Sequence, residues 1–215
     1  MAVLAGATTH ADDEVVYRET FPVADGEAAK LTDMGWEAWL YDIDSLKLHQ
    51  GAAGYTDLVR GKASQPADAE PINADTPEDA PIATGMLINW NRGTIWPNPT
   101  LYFTQEPIIN DASHITSVSW FQNNQGSTGG FRLAVKVGGD WWVTRDNHIG
   151  FQTVTLALAE QGWHRLDPRN LEVEDEASHD ELPGGPIDAI EVFGHHTGYA
   201  ELDSFTIRVD STLER

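Results

Sequence analysis

Phe131-Arg-Leu-Ala-Val-Lys-Val-Gly-Gly-Asp-Trp-Trp-Val-Thr144 reads as two short strands around a glycine turn, and it decides the fold class. Successive side chains of a strand point to opposite faces. Phe131, Leu133, Val135 and Val137 therefore share one side, and Arg132, Ala134 and Lys136 share the other. After the turn, Trp141 and Val143 alternate with Trp142 and Thr144. A two-residue loop, Gly138-Gly139, sets Val135 opposite Trp142. A three-residue loop, Gly138-Gly139-Asp140, pairs Val137 with Trp141, Val135 with Val143 and Lys136 with Trp142. The longer loop gathers every apolar residue on one side, so it is the expected register. Trp141 is then expected in the core, and Trp142 on the opposite face in cation–π contact with Lys136.

The same two-residue period recurs between Gly, Asn, Asp and Pro breaks. It marks Val15 to Phe21, Gly85 to Asn91, Thr100 to Gln105, Ile115 to Phe121, Thr153 to Leu158, Asp188 to Phe193 and Leu202 to Val209. Nothing comparable reads as a long amphipathic helix. Many short strands with turn signals between them indicate an all-β, antiparallel β-sandwich, and 215 residues suffice for one large domain. The expected organisation is an N-terminal segment, residues 1–13, and a sandwich domain, residues 14–215. Trp36 and Trp39 fall on opposite faces of a further strand, so one is expected inside. Trp90 and Trp120 alternate with apolar neighbours and are expected in the core. Gly51 to Ala83, including the Pro- and acid-rich stretch Gln65 to Pro81, lacks periodicity and reads as a functional or mobile loop. Leu171 to Pro186 reads as a second irregular stretch, rich in acids.

The formal charge is −21, from 34 acids against 13 Lys and Arg. Such a field repels phosphate backbones and anionic bilayers, which excludes nucleic acid and membrane surfaces as natural partners. Cysteine is absent, so neither a disulfide frame nor a thiolate zinc site is available. No apolar run reaches the ~18 residues of a spanning helix, so membrane insertion is not expected. Ala2 to Ala7, followed by Thr9-His10-Ala11 and the acidic Asp12-Asp13-Glu14, reads either as the tail of a trimmed secretory signal or as an ordinary N-terminus.

The string from Phe131 to Thr144, the closing Ala200-Glu-Leu-Asp-Ser-Phe-Thr-Ile207 and the opening Tyr17-Arg-Glu-Thr-Phe21 resemble jelly-roll modules of secreted bacterial proteins, of the laminin-G-like and carbohydrate-binding types. The resemblance covers about half the chain, mostly from Trp90 onward, and its motifs are structural. It implies a jelly roll of the concanavalin or laminin-G kind, a secreted or cell-surface setting, and a polysaccharide or glycan ligand. It also implies a structural Ca2+ where the first and last strands meet. The matching positions are Glu19 and Asp203, with Asp25 as a further carboxylate in the turn after the first strand. The alternative is that Glu19 and Asp203 are solvated or pair with Arg18 and Arg208.

Sugar rings stack their C–H faces on aromatic side chains, while planar polar groups satisfy the hydroxyls. Eight Trp leave some for such a surface once a core is filled. One candidate cluster is Asn89-Trp90-Asn91-Arg92 with Trp96 and Tyr102, in which Trp96, Arg92 and Tyr102 are the ligand-binding nominees. The other is the face bearing Arg132, Lys136 and Trp142, near Gln122-Asn123-Asn124-Gln125. The leading reading is therefore a non-catalytic carbohydrate-binding module.

A polysaccharide-degrading enzyme on the same fold is the second reading. Tyr102, His148 and Arg145 could supply a lyase base and a charge-neutralising group. Glu172-Val-Glu-Asp-Glu176 superficially resembles the acidic strand of jelly-roll glycosidases, although its place in an acid-rich loop favours simple solvation. The pair His195-His196 projects to opposite sides of an extended chain and does not form one metal grip. A third reading is a self-assembling surface protein joined through exposed strand edges.

Overall fold

The computed structural model describes residues 13–21, 28–50, 58–61, 85–91, 98–104, 114–123, 129–196 and 198–210. The first strands are β1 (Asp13–Glu19), β2 (Ala28–Lys30), β3 (Trp36–Asp42), β4 (Lys47–Gln50) and β5 (Leu58–Gly61). The middle of the chain gives β6 (Gly85–Asn91), β7 (Asn98–Thr104), β8 (Ile115–Asn123), β9 (Phe131–Val137) and β10 (Asp140–Thr144). The last are β11 (Phe151–Ala157), β12 (Trp163–Asp167), β13 (Glu172–His179), β14 (Ile187–His196) and β15 (Gly198–Asp210). Helical structure among the described residues is confined to 3-10 turns such as Leu31–Met34 and Leu158–Glu160.

All the pairings are antiparallel, and they form two sheets. One is seven-stranded, ordered β11-β8-β15-β6-β5-β2, with β1 added along the second half of β15. The other is eight-stranded, ordered β13-β12-β10-β9-β14-β7-β3-β4. The architecture is an antiparallel β-sandwich of the jelly-roll class. The terminal strands meet, with Arg18 opposite Thr206 and Glu19 opposite Phe205.

Alternate residues of both sheets fill the space between them. Val118, Trp120, Val154, Phe205 and Ile207 come from the seven-stranded sheet; Trp36, Tyr102, Leu133, Val135, Trp142, Trp163 and Val192 come from the other. Each such apolar side chain withdrawn from water contributes about 1.5–3 kcal/mol. Near the terminal strands Phe21, Trp36 and Phe205 pack edge to face at 5.3 and 5.5 Å between centroids, a favoured arrangement of ring quadrupoles. Trp120 lies inside as expected, and of the opposed pair Trp36 and Trp39 it is Trp36 that does; the side chain of Trp90 lies outside the described residues.

The β9–β10 hairpin corrects the expected register. Asp140 pairs with Val137, Trp141 with Lys136, and Trp142 with Val135. The loop is thus Gly138-Gly139, with φ of 60° and 90°, the left-handed pair that a two-residue hairpin turn requires. Asp188 steadies it, its Oδ2 accepting the Gly139 N–H at 2.9 Å. Trp142 consequently faces the core, and Trp141 takes the opposite side with Lys136, whose Nζ lies 5.8 Å from its ring centroid. The expectation assumed that only one face of the sheet is apolar. The eight-stranded sheet instead buries residues on both faces: Leu101, Ala134, Trp141, Val143, Leu166 and Phe193 form a second cluster on its far side.

Two strands appear that the sequence reading did not mark, and the second lies in the stretch expected to be irregular. β12 and β13 extend the eight-stranded sheet, and β13 takes up Glu172 to Glu176 as an edge strand rather than a loop. Residues 62–84, most of the expected long loop, lie outside the described residues, as do residues 1–12.

Candidate functional site

The second apolar cluster is where the sandwich departs from a plain two-layer core. Glu37, Trp39 and Tyr41 alternate along β3 with the core-facing Trp36, Ala38 and Leu40, so they share the face turned away from the seven-stranded sheet. Trp39 stands opposite Leu101 on β7, and Leu101 opposite Phe193 on β14, which faces Arg132 on β9. Glu37 stands opposite Phe103. One row across four strands therefore carries Trp39, Leu101, Phe193 and Arg132.

The rings interlock. Trp39 and Phe103 are 5.0 Å apart at 89°, and Phe103 and Trp141 are 5.8 Å apart at 64°. Phe103 and Trp141 rise from strands separated by β14 and β9. Their rings meet because Ala189 and Ala134 are the small residues of this cluster on those intervening strands. Trp39, Tyr41, Phe103 and Leu48 remain partly exposed, whereas Trp141 is sealed at 2% exposure. Trp39 is the most open indole among the tryptophans whose side chains are described, since Trp36, Trp120, Trp141, Trp142 and Trp163 are buried.

Polar groups frame this surface. The Trp39 indole N–H donates to Glu37 Oε1 at 2.7 Å, which fixes the plane of the ring. Arg132 Nη1 donates to the carbonyl of Thr144 at 3.2 Å. Lys136 reaches over Trp141. A half-open aromatic strip with a carboxylate at one end and two cations at the other can stack a sugar ring and hydrogen-bond its hydroxyls.

The sequence nominees separate. Arg132 and Lys136 belong to this face, as nominated. Trp142 does not: it is 7% exposed and packs in the inter-sheet core, 5.0 Å from the His179 ring, so no ligand stacks on it. Tyr102 is likewise corrected, because it is completely buried between the sheets and burial alone holds its hydroxyl well above the usual phenol range. The cluster proposed around Trp90 and Tyr102 is also not one surface. β6 belongs to the seven-stranded sheet and β7 to the eight-stranded one. Arg92 and Trp96 lie outside the described residues.

Trp39, Tyr41, Phe103 and Glu37 were not nominated. The available signal was the alternation Glu37-Ala-Trp39-Leu-Tyr41, which places an acid and two aromatics on one face of a strand.

The catalytic parts are not assembled. A base at Tyr102 has no access to substrate. His148 is half-buried beside Trp120, 6.0 Å between rings, and burial lowers its pKa while Asp146 pulls the other way. Arg145 is tied to Ser178 and Asp180 at 2.6 and 3.4 Å. Glu172 and Glu174 are exposed on the edge strand.

At the terminal strands, Glu19 Oε1 accepts the Phe21 N–H at 2.6 Å and Asp203 Oδ1 accepts the Ser204 N–H at 2.5 Å. Phe21 and Ser204 both adopt left-handed φ, 45° and 51°, and the Asp203 side of β15 is bulged. Asp203 is 1% exposed. Calcium takes six to eight oxygens, more than Glu19 and Asp203 supply. Among the described residues no three His, Asp or Glu gather into a metal-holding group, and Asp25 lies outside them.

No protein-family model matches the sequence, and no curated protein matches it in sequence. Similar solved structures include the CBM22-1 xylan-binding domain of Paenibacillus barcinonensis Xyn10C, at 12% identity and TM-score 0.40, covering 94% of this chain and 98% of that one. Another is a family 11 carbohydrate-binding module from Clostridium thermocellum in complex with a beta-1,3-1,4-mixed-linked tetrasaccharide, at 13% identity and TM-score 0.43, covering 88% and 94%.

Proposed function

We propose that the chain is a non-catalytic carbohydrate-binding module of a secreted or cell-surface protein, and that its platform is the outer face of the eight-stranded sheet. The observation that carries this reading is the partly exposed pair Trp39–Phe103, backed by the sealed Trp141 and framed by Glu37, Lys136 and Arg132. Aromatic side chains of a sandwich normally complete the core between the sheets. Here they also line a face that the other sheet does not cover. Stacking supplies the affinity in this reading, and the carboxylate and cations orient the sugar through its hydroxyls.

A structural Ca2+ at Glu19, Asp203 and Asp25 belongs to the same proposal. The placing of Glu19 and Asp203 on the two paired terminal strands, each followed within two residues by a left-handed residue, Phe21 and Ser204, supports it. Chelation is then expected to lower the melting temperature, and restored calcium to recover it.

Affinity electrophoresis or calorimetry against a panel of neutral polysaccharides tests the main claim. At least one polymer is expected to bind, with binding lost in Trp39→Ala and Phe103→Ala while Trp39→Phe retains part of it. A panel that shows no binding, with and without calcium, removes the proposal.

A further inference from the structure

The seven-stranded sheet presents a different outer face. β11, β8, β15 and β1 are neighbours, and Thr155, Ser119, Thr206 and Arg18 stand opposite one another across them. With strands about 4.8 Å apart, these side chains form a straight transverse line. The adjacent row is Ala157, Ser117, Arg208 and Val15. Val118, Trp120, Phe205 and Ile207 face the core, which turns both rows outward. Ser119 and Thr206 are 9% and 4% exposed, whereas Thr155 and Arg18 at the ends of the line are open.

Arg18 and Arg208 are thus diagonal neighbours on paired strands. Arg208 Nη1 donates to Ser119 Oγ at 3.4 Å. The chain has 34 acids for 13 Lys and Arg, so a lone arginine is easily matched with a carboxylate. Arg145, Arg165 and Arg169 are matched in this way, to Asp180, Asp140 and Asp167. Arg18 and Arg208 form no such pair among the described residues. The carboxylates nearest along β15 are Asp203, turned to the Ser204 N–H, and Asp210, which ends the strand opposite Asp13. Two like charges on adjacent strands repel, and their planar forks keep several N–H donors for an acceptor.

We propose that Arg18, Arg208 and Ser119 form a site for a tetrahedral oxyanion, a sulfate or phosphate group. The forks come from two strands and need oxygens facing in more than one direction, whereas a flat carboxylate satisfies one fork at a time. The negative charge of the whole chain opposes an anion at long range. At physiological salt that field decays over about 8 Å, while the guanidinium contacts act at hydrogen-bond distance. The site lies on the opposite sheet from the aromatic strip and does not depend on the glycan reading. The anion could be free or an ester on a sulfated polysaccharide.

Thermal unfolding of the full chain in low-millimolar sodium sulfate or phosphate, against sodium chloride at equal ionic strength, tests this. A saturable rise of several degrees specific to the oxyanions is expected. It should be lost in Arg18→Gln/Arg208→Gln, weakened in Ser119→Ala, and kept in Trp39→Ala. Affinity gels with a sulfated polysaccharide and its desulfated form separate the sources. Retardation by the sulfated form alone assigns the ester, and a response to the inorganic salts alone assigns the free ion. Equal melting in oxyanion and chloride, or an unchanged response in the double arginine variant, overturns the proposal.

Discussion

Trp36 is sealed in the core at the terminal strands, and its indole N–H donates to Tyr17 Oη at 2.8 Å. Tyr17→Phe removes the acceptor and leaves that donor buried, which is expected to cost about 1–3 kcal/mol in urea unfolding. The same tyrosine makes the fold sensitive to alkali. Burial, partly offset by the Trp36 hydrogen bond, pushes its pKa up to about 12 from an ordinary 10.0. The folded state therefore holds its proton after the unfolded chain begins to release one. Stability is intact below about pH 10 and falls as pH climbs towards 12, with Tyr102 acting in the same direction. Alkaline unfolding monitored by circular dichroism should show a shallower decline in Tyr17→Phe. At the acid end, His148 has a lowered pKa, so its contribution is present above about pH 6.5 and is lost as pH falls through the folded value. His148→Gln should flatten the first part of the acid decline. Single residues were partly legible in the sequence. Alternation separated Trp36 from Trp39 correctly, because parity alone decides that two residues three apart oppose each other. It could not say which parity faces inward in β7, where Tyr102 and Thr104 point to the core and Leu101 and Phe103 point away.

The β9–β10 hairpin shows the same ambiguity at the scale of an element. A register chosen to put all apolar residues on one face works for a sheet with one wet side. This sheet buries Trp142 on one face and Trp141 on the other, so the turn decides the pairing instead of the hydrophobic count. Gly138 and Gly139 both have positive φ, which makes the pair replaceable in one direction only. Gly138→Asn, which creates the Asn-Gly turn sequence, is expected to be close to neutral. Gly139→Val puts a branched side chain in left-handed geometry and should cost about 1–2 kcal/mol. Chemical denaturation of the two variants checks the contrast, and equal losses would argue against the two-residue turn. β12 and β13 were less visible because their exposed residues are charged: Arg165, Glu172 and Glu174 interrupt the apolar run that marks a central strand. The aromatic strip was hidden for a related reason. It is assembled from β3, β7 and β10, three segments distant in sequence, and only their order in the sheet brings the rings together.

Over the whole molecule the charge of −21 sets the behaviour at sheet edges. A chain of this length has a radius of gyration of about 17 Å when folded. The screening length is about 30 Å at 0.01 M salt and about 8 Å at 0.15 M. Carboxylates across the molecule therefore repel one another at low salt and act only on near neighbours at physiological salt. The melting temperature is expected to rise between these concentrations and then level off, and a flat profile would mean that the acids are compensated locally. The same charge protects β13, which ends the eight-stranded sheet. An unpaired strand offers its backbone to another copy, and acidic side chains along it oppose that addition. Glu172 and Glu174 are exposed there, and a break in register at His164–Arg165 interrupts the pairing to β12. Glu172→Thr/Glu174→Thr removes two charges and raises strand propensity at the edge. Light scattering on heating, at matched unfolding temperature, should begin earlier in this variant. If its onset coincides with that of the parent chain, β13 is not the edge that limits association, and β4, at the other end of the same sheet, becomes the strand to substitute.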